Sequence, residues 1–224
     1  MLNQEKVRFI EDSVNQVLDE IPDNVTLVAA VKTRSPEEAL AAIEASIEVL
    51  GHNYVQEAEQ MMAVVGDRAR WHMIGHLQKN KVNKAAPLFN MVETVDSLKL
   101  AQKLNRSCER LDKVMSVLIE VNSGREEAKD GVFPEDVEAL AKKIAPLQNL
   151  SIKGLMTMGP YTGDPENARP YFRETKRIFD HLSEIDYPRV NMEILSMGMS
   201  NSYRVAIEEG ATMIRLGTRL FGPR

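Results

Sequence analysis

The sequence has little of several features that mark large protein classes. Its 224 residues include a single cysteine, Cys108, which excludes an internal disulfide. Cys108 falls among polar residues of a predicted helix, and we interpret it as a bystander thiol rather than a nucleophile. Basic residues (28) are outnumbered by acidic residues (33), and the net charge of −5 argues against a nucleic-acid partner.

Long apolar runs are lacking as well. Residues 1–6 contain no apolar signal region, and no segment approaches the length of a membrane span. These observations predict a cytoplasmic protein with no membrane partner. The four histidines form no metal-ligand pattern with carboxylates or with the cysteine. His72 and His76 have a spacing seen in zinc sites, but Gly75 and the flanking strand pattern argue against a helix there, so we predict no metal site.

The chain instead shows a regular alternation of strand and helix patterns, with no linker or low-complexity segment. Hydrophobic residues make up 43% of the sequence, which is typical of a globular protein with a real core. A first helix is predicted over residues 3–19, followed by eight buried or half-buried strands. The predicted strands are residues 26–31, 46–50, 71–74, 89–95, 114–121, 152–156, 192–195 and 213–216. The helices predicted between them include residues 36–44, 55–65, 97–110, 134–144, 168–182 and 202–208.

Eight β-then-α units predict an α/β fold: a single parallel (β/α)8 barrel, or TIM barrel, over residues 1–224, with an extra N-terminal helix. The alternative is an open, doubly wound sheet. A length of 224 residues is normal for one such barrel. Barrels of this kind place their chemistry at the carboxyl ends of the strands. At these ends, Asp96 and Ser97 are explained most simply as the start of a helix, where such residues cap the backbone.

Lys32 stands at the end of the first strand. An amine at the rim of an apolar core is desolvated, which disfavours its charged form and frees the lone pair for Schiff-base chemistry. Taken alone, Lys32 is more simply a lysine that extends from the sheet towards water, which is the commoner case.

The turn at residues 196–202 and the neighbouring strand end carry donors for an anion. The turn bears glycine and serine and opens a helix, so its amides and hydroxyls can bind an anion; Ser200 and Ser202 as simple helix caps are the alternative. Arg215, Gly217 and Thr218 close the adjacent strand, and loops after strands seven and eight commonly hold phosphate. Together with Lys32, this arrangement suits an aldehyde phosphate such as pyridoxal 5'-phosphate (PLP).

Segments along nearly the whole chain resemble the YggS/PROSC family of pyridoxal phosphate homeostasis proteins. The most specific are WHMIGHLQKNK (71–81) and LSMGMS (195–200). The others are residues 27–38, 51–57, 117–122, 153–158 and 213–224, with 193–207 around the second motif. The resemblance implies a fold-type III PLP protein, similar to the barrel domain of alanine racemase, that binds PLP and acts in intracellular PLP homeostasis.

The resemblance also implies roles for single residues. Lys32 corresponds to the lysine that forms the Schiff base, Arg215 to an arginine facing the pyridine nitrogen, and Asn53 to an asparagine beside the ring. His76 matches a position near the pocket. The family usually has Gly-Glu-Asn where this chain has Gly-His-Asn, so His52 is expected to alter the charge near the rim. The full set of implied cofactor-binding residues is Lys32, Asn53, Ser196, Met199, Ser200, Arg215, Gly217 and Thr218.

An arginine at the pyridine nitrogen can only donate hydrogen bonds, which leaves the ring a weaker electron sink. Racemisation needs an acid/base pair on opposite faces of the substrate, and in alanine racemases a second domain supplies a tyrosine for it. Because this chain ends soon after strand eight, we expect an open pocket without that partner, compatible with a monomer.

Three functions remain open. The first is a PLP-binding homeostasis protein that could pass PLP to apo-enzymes. The second is an amino-acid racemase or another PLP-dependent enzyme with a reduced site. The third is a barrel enzyme with a phosphorylated substrate and no cofactor.

Overall fold

A computed structural model describes residues 2–159 and 163–223. Its eight strands form one closed barrel in sequence order, and every neighbouring pair is parallel, as predicted. The strands are β1 (Thr26–Ala30), β2 (Val49–His52), β3 (Arg70–Met73), β4 (Met91–Val95), β5 (Met115–Glu120), β6 (Leu150–Met156), β7 (Val190–Ser196) and β8 (Met213–Leu216). The α-helices are α1 (Gln4–Glu20), α2 (Pro36–Glu44), α3 (Val55–Val65), α4 (Val82–Leu88), α5 (Leu98–Glu109), α6 (Val137–Ile144), α7 (Arg169–Ser183), α8 (Tyr203–Glu208) and α9 (Thr218–Phe221).

Helix α1 is the predicted extra N-terminal helix. It begins where the Asn3 side chain accepts a hydrogen bond from the Glu5 amide. Its buried residues, among them Ile10, Val14 and Val17, recur three and four positions apart and form one apolar face. That face packs against α2 and α9, so α1 links the first and last helices around the barrel.

The strands are buried on both faces, because helices cover the outside of the barrel. Within β1, Leu27 and Ala29 belong to the large core beneath the helices, whereas Val28 belongs to a separate cluster with residues of β2 and β8. This alternation places Val28 inside the barrel. The apolar interior residues are Val28, Val49, Ile74 and Met213 in one cluster and Met91, Leu118 and Met156 in another.

Several predicted boundaries differ from the observed ones. Strand β2 begins at Val49, not at residue 46, because Ser46 has a positive φ of 80° and turns the chain after α2. Residues 134–136 form a 3-10 turn before α6 begins at Val137. Helices α4 and α9 were not predicted: α4 is short and contains Pro87, and α9 has only four residues. Within the described ranges, none of the helices has both the length and the apolar character required to cross a bilayer.

Candidate functional site

A cleft of about 270 Å³ opens at the carboxyl ends of the strands. Seven of the eight predicted cofactor-binding residues line it, and Ser196 does not. Five further lining residues escaped the sequence analysis: Ala30, Arg34, Ile74, Met158 and Asn201. Residues separated by nearly the whole chain therefore meet in one concave site, which is what a closed barrel requires of its strand ends.

Lys32 reaches this cleft from the end of β1. The strand itself ends at Ala30, but the Val31 amide still donates to the Gly51 carbonyl at 3.0 Å and so extends the sheet contact. Beyond Lys32 the chain turns at Thr33, with a φ of 64°, into the capping box of α2, in which Ser35 and Glu38 bind each other's backbone amides. The lysine is held between a strand and a capped helix, and it is half-buried.

Asn53 lies at the cleft because the chain after β2 runs very close to the end of β3. A Cβ atom at Gly75 would lie 2.6 Å from the Asn53 carbonyl oxygen and 2.7 Å from its Cα. Only glycine permits this approach. The Thr94 hydroxyl donates to the Gly75 carbonyl at 2.8 Å. This bond holds Gly75 in its position against Asn53.

The loops after β7 and β8 meet at Ser200. Its hydroxyl accepts from the amides of Gly217 and Arg219, both at 3.3 Å. The sharp turn before it needs a glycine, since Gly198 has a φ of 94° and a Cβ there would lie 2.9 Å from the Tyr203 Cα. Two backbone amides and a hydroxyl thus converge on one point of the cleft wall.

The alternative in which Ser200 and Ser202 only cap α8 is wrong. Ser202 occupies the cap position but makes no side-chain cap hydrogen bond; its hydroxyl instead accepts from the Met199 amide at 3.3 Å. Ser200 binds the turn after β8. Ser97, in contrast, does cap α5 by accepting from the Leu100 amide, as predicted.

A row of buried, hydrogen-bonded polar side chains crosses the barrel beneath the cleft and ends at Arg215. The guanidinium donates to the Ser196 hydroxyl at 2.6 Å and to the Thr157 carbonyl at 3.0 Å. Ser196 donates to Glu93 Oε2 at 2.7 Å, and Glu93 Oε1 lies 2.7 Å from His72 Nδ1. Ser196 therefore supports Arg215 from below, and it is not among the residues that line the cleft.

Burial and neighbouring charges change the pKa values of two residues in this row, Glu93 and Arg215. Desolvation alone would raise the pKa of Glu93, but the hydrogen bond and charge of His72, the charge of Arg215 and the Ser196 hydroxyl outweigh it and lower that pKa. Desolvation lowers the pKa of Arg215, opposed by the charges of Glu93 and Glu120. Since an arginine is not deprotonated in proteins, the cleft floor holds a permanent cation that donates hydrogen bonds.

His52 lies elsewhere than expected. It is 1% exposed, stacks on Trp71 with ring centroids 6.0 Å apart, and places Nε2 3.4 Å from the Met61 sulfur. It therefore packs beneath α3 and not at the rim. Burial lowers its pKa to about 4, so His52 is neutral at neutral pH and adds no charge to the cleft.

The expectation that no histidine groups with carboxylates also fails. His76, Asp96 and Asp130 come from three different strand ends, and one ligand atom from each lies within 4.8 Å of the other two. Asp130 follows β5 in a loop whose position the sequence pattern does not indicate, so this grouping emerges only when the barrel closes.

The family model for the N-terminal domain of alanine racemase matches residues 8–224. The pyridoxal phosphate homeostasis protein of Aquifex aeolicus is 41% identical over 88% of this chain and 86% of its own length. The protein of the same name from Vibrio alginolyticus is 38% identical over 91% of this chain and 88% of its own length.

Among solved structures, PipY of Synechococcus elongatus with PLP bound superimposes with a TM-score of 0.87 at 31% identity, covering 95% of this chain and all of PipY. By the extent of the family model and the identity to these relatives, the chain belongs to the alanine racemase N-terminal domain family, among the pyridoxal phosphate homeostasis proteins.

Proposed function

We propose that this protein binds PLP as a Schiff base on Lys32 and acts in PLP homeostasis. The observation that carries the proposal is the single cleft that joins an amine, a buried guanidinium and a group of amide and hydroxyl donors. The names of the curated relatives and the PLP bound to PipY support it.

The residues present fit each chemical group of PLP. The Lys32 amine suits the aldehyde. Arg215 suits the pyridine nitrogen, an acceptor, because only two of its five N–H groups are committed to Ser196 and Thr157. The Ser200 hydroxyl suits the phosphate: its oxygen accepts from the amides of Gly217 and Arg219, so its hydrogen is left to donate to an anion.

Bound PLP would supply an aldehyde, and Lys32 is the residue whose amine would hold it as a Schiff base, with the aldehyde oxygen released as water. The residues around Lys32 position its amine and set the charge of the site. The capped start of α2 and the end of β1 hold the amine at the rim. The fixed positive charge of Arg215 would disfavour protonation of a ring nitrogen held against it, and the ring would then be a weak electron sink. The site therefore favours holding the cofactor over carbanion chemistry.

A spectral titration with PLP tests this proposal. The wild-type protein is expected to gain a visible absorption band that borohydride removes. Lys32→Ala should fold and show no such band, because the covalent bond has lost its amine. Lys79→Ala is the matched control: Lys79 is an exposed lysine after β3 and its loss should change nothing. A reducible band in Lys32→Ala would contradict the proposal.

We also propose that the protein is a cytoplasmic monomer that passes PLP to apo-enzymes. Cys108 is a buried free thiol, as is usual in a reducing compartment. Loaded protein mixed with an apo-enzyme should restore activity faster than Lys32→Ala mixed with the same total PLP. Equal rates would mean that only free PLP is delivered.

A further inference from the structure

A second polar site lies at the rim beside the PLP cleft. His76 Nδ1 is 3.0 Å from Asp130 Oδ1 and 3.7 Å from Asp96 Oδ2. Bonds of about 2.1 Å to a common metal ion place ligand atoms roughly 3 to 4.2 Å apart. The observed spread, within 4.8 Å, needs only small rotations of the exposed side chains of His76 and Asp130.

The loop that carries Asp130 is tied down. The Asn122 amide donates to the Val132 carbonyl at 2.8 Å and the Val132 amide returns a bond to the Glu120 carbonyl at 2.8 Å. The Asn122 side chain donates to the carbonyls of Glu126 and Lys129. Asp130 therefore stands at a fixed place beside the ends of β3 and β4.

Glu120 supplies an independent observation beneath this cluster. It is 3% exposed, and its Oε2 has no hydrogen-bond partner. It lines a small cavity together with Asp130. An orphaned buried carboxyl oxygen of this kind calls for a partner.

The basic side chain that pairs with both aspartates is His76. The neighbouring Lys129 binds Glu126 at 2.6 Å instead. The Oε2 atom of Glu120 has no hydrogen-bond partner, although the positive charge of the buried Arg215 acts on this carboxyl. Two aspartates, one imidazole and this carboxyl therefore form a region that a bound cation would stabilise.

We propose that His76, Asp96 and Asp130 bind a divalent first-row metal ion, with the Glu120 carboxyl beneath it. An imidazole combined with carboxylates suits manganese, iron or zinc better than calcium, which takes oxygen ligands alone. The exposure of His76 and Asp130 leaves coordination positions open to water or to an anionic group of an incoming molecule.

Manganese provides the test. The full-length protein, freed of PLP and treated with EDTA, is titrated with Mn²⁺ while the free ion is followed by electron paramagnetic resonance. Saturable binding of one ion per chain is expected. His76→Ala and Asp130→Asn should each weaken it by at least about tenfold, since even outer partners of metal sites have effects of this size. Glu127→Gln, an exposed carboxylate of the same loop, should leave the affinity unchanged.

Two results would overturn the inference: binding that does not saturate, or a loss of affinity in Glu127→Gln equal to that in Asp130→Asn. PLP uptake is measured on the same samples. Because neither Lys32 nor Ser200 belongs to the metal cluster, uptake of PLP without Mn²⁺ binding would refute the metal site alone and leave the proposed function standing.

Discussion

Arg215 is the residue whose surroundings decide which chemistry the cleft favours. It reaches the Glu93 carboxylate at 4.0 Å and through the Ser196 hydroxyl. We regard Glu93 as a positioning residue, because it touches Ser196 and His72 and does not line the cleft. Its negative charge is what makes the buried guanidinium tolerable.

Glu93→Gln is expected to keep the shape of this contact and to remove its charge. The free energy of unfolding should fall by about 2–4 kcal/mol, since a buried cation loses its counter-charge. The visible band of the PLP-loaded protein should shift in wavelength or in its pH dependence, which a merely structural role would not cause. Glu48→Gln, an exposed partner of Arg70, is the control for denaturation and spectra. Wild-type stability and spectrum in Glu93→Gln would contradict this role.

His52 predicts a pH dependence of stability. Its pKa falls from 6.5 to about 4 on folding, so the unfolded chain binds a proton more readily than the folded one. The stabilisation is therefore fully present above pH 6.5 and is lost as the pH falls towards 4. The shift of the pKa corresponds to about 3 kcal/mol.

The measurement is urea unfolding at several pH values. Between pH 7 and pH 4 the wild type should lose about 3 kcal/mol more than His52→Leu, because leucine cannot be protonated. His181→Ala, which removes an exposed histidine, should follow the wild type. Parallel curves for the wild type and His52→Leu would show that His52 is not held neutral by burial.

Single residues differ in how far the sequence reveals them. Lys32 is visible because a lysine ends an apolar strand at a point where barrels carry chemistry. Glu93 was not identified from the sequence, although a carboxylate within the buried strand predicted at 89–95 is an unusual feature that points to a partner inside the barrel. Its partners Ser196 and His72 lie on other strands, and only the register of the closed barrel brings them together.

Among the elements, helix α9 follows β8 closely, and its first residue, Thr218, lines the cleft. Arg34 donates to the Gly222 carbonyl at 2.6 Å and to the Phe221 carbonyl at 3.4 Å, and its guanidinium lies 5.5 Å from the centre of the Phe221 ring. Lys6 of α1 also donates to the Phe221 carbonyl. These contacts hold the short helix that begins directly after Gly217.

Arg34→Ala should loosen α9 and with it the amides that face Ser200. We expect the affinity for PLP to fall by roughly tenfold, about the size of one hydrogen bond to a charged group. Pyridoxal, which lacks the phosphate, should lose much less affinity in a parallel titration. Arg8→Ala, an exposed arginine of α1, serves as the control. An equal loss for both ligands would place the effect of Arg34 outside the phosphate region.

Element boundaries were predictable where pattern and caps agree. Helix α2 has Ser35, Pro36 and Glu38 as an explicit start, and its predicted bounds are confirmed. The start of β2 was wrong because apolar residues 47–50 continue into the preceding turn, and nothing in that run marks the positive φ of Ser46. Helix α4 is short, and Pro87 conceals it.

For the whole molecule, the count of eight strands predicted the barrel, and the closed sheet excludes the open, doubly wound alternative. Eight apolar segments separated by helical patterns permit closure into a barrel, and closure alone brings β1 beside β8. Lys32 and Arg215 meet for that reason, although 183 positions separate them in the sequence. The polar interior and the cluster at His76 depend on strand register and loop conformation, which hydrophobic periodicity does not encode.

We propose that this barrel assembles a covalent PLP site at one lysine out of 13. The most direct measurement is peptide mapping by mass spectrometry after PLP-loaded protein has been reduced with borohydride. The account predicts a stoichiometric pyridoxyl-phosphate adduct on the peptide that contains Lys32. Label spread over surface lysines such as Lys79 and Lys153, with Lys32 unmodified, would contradict it.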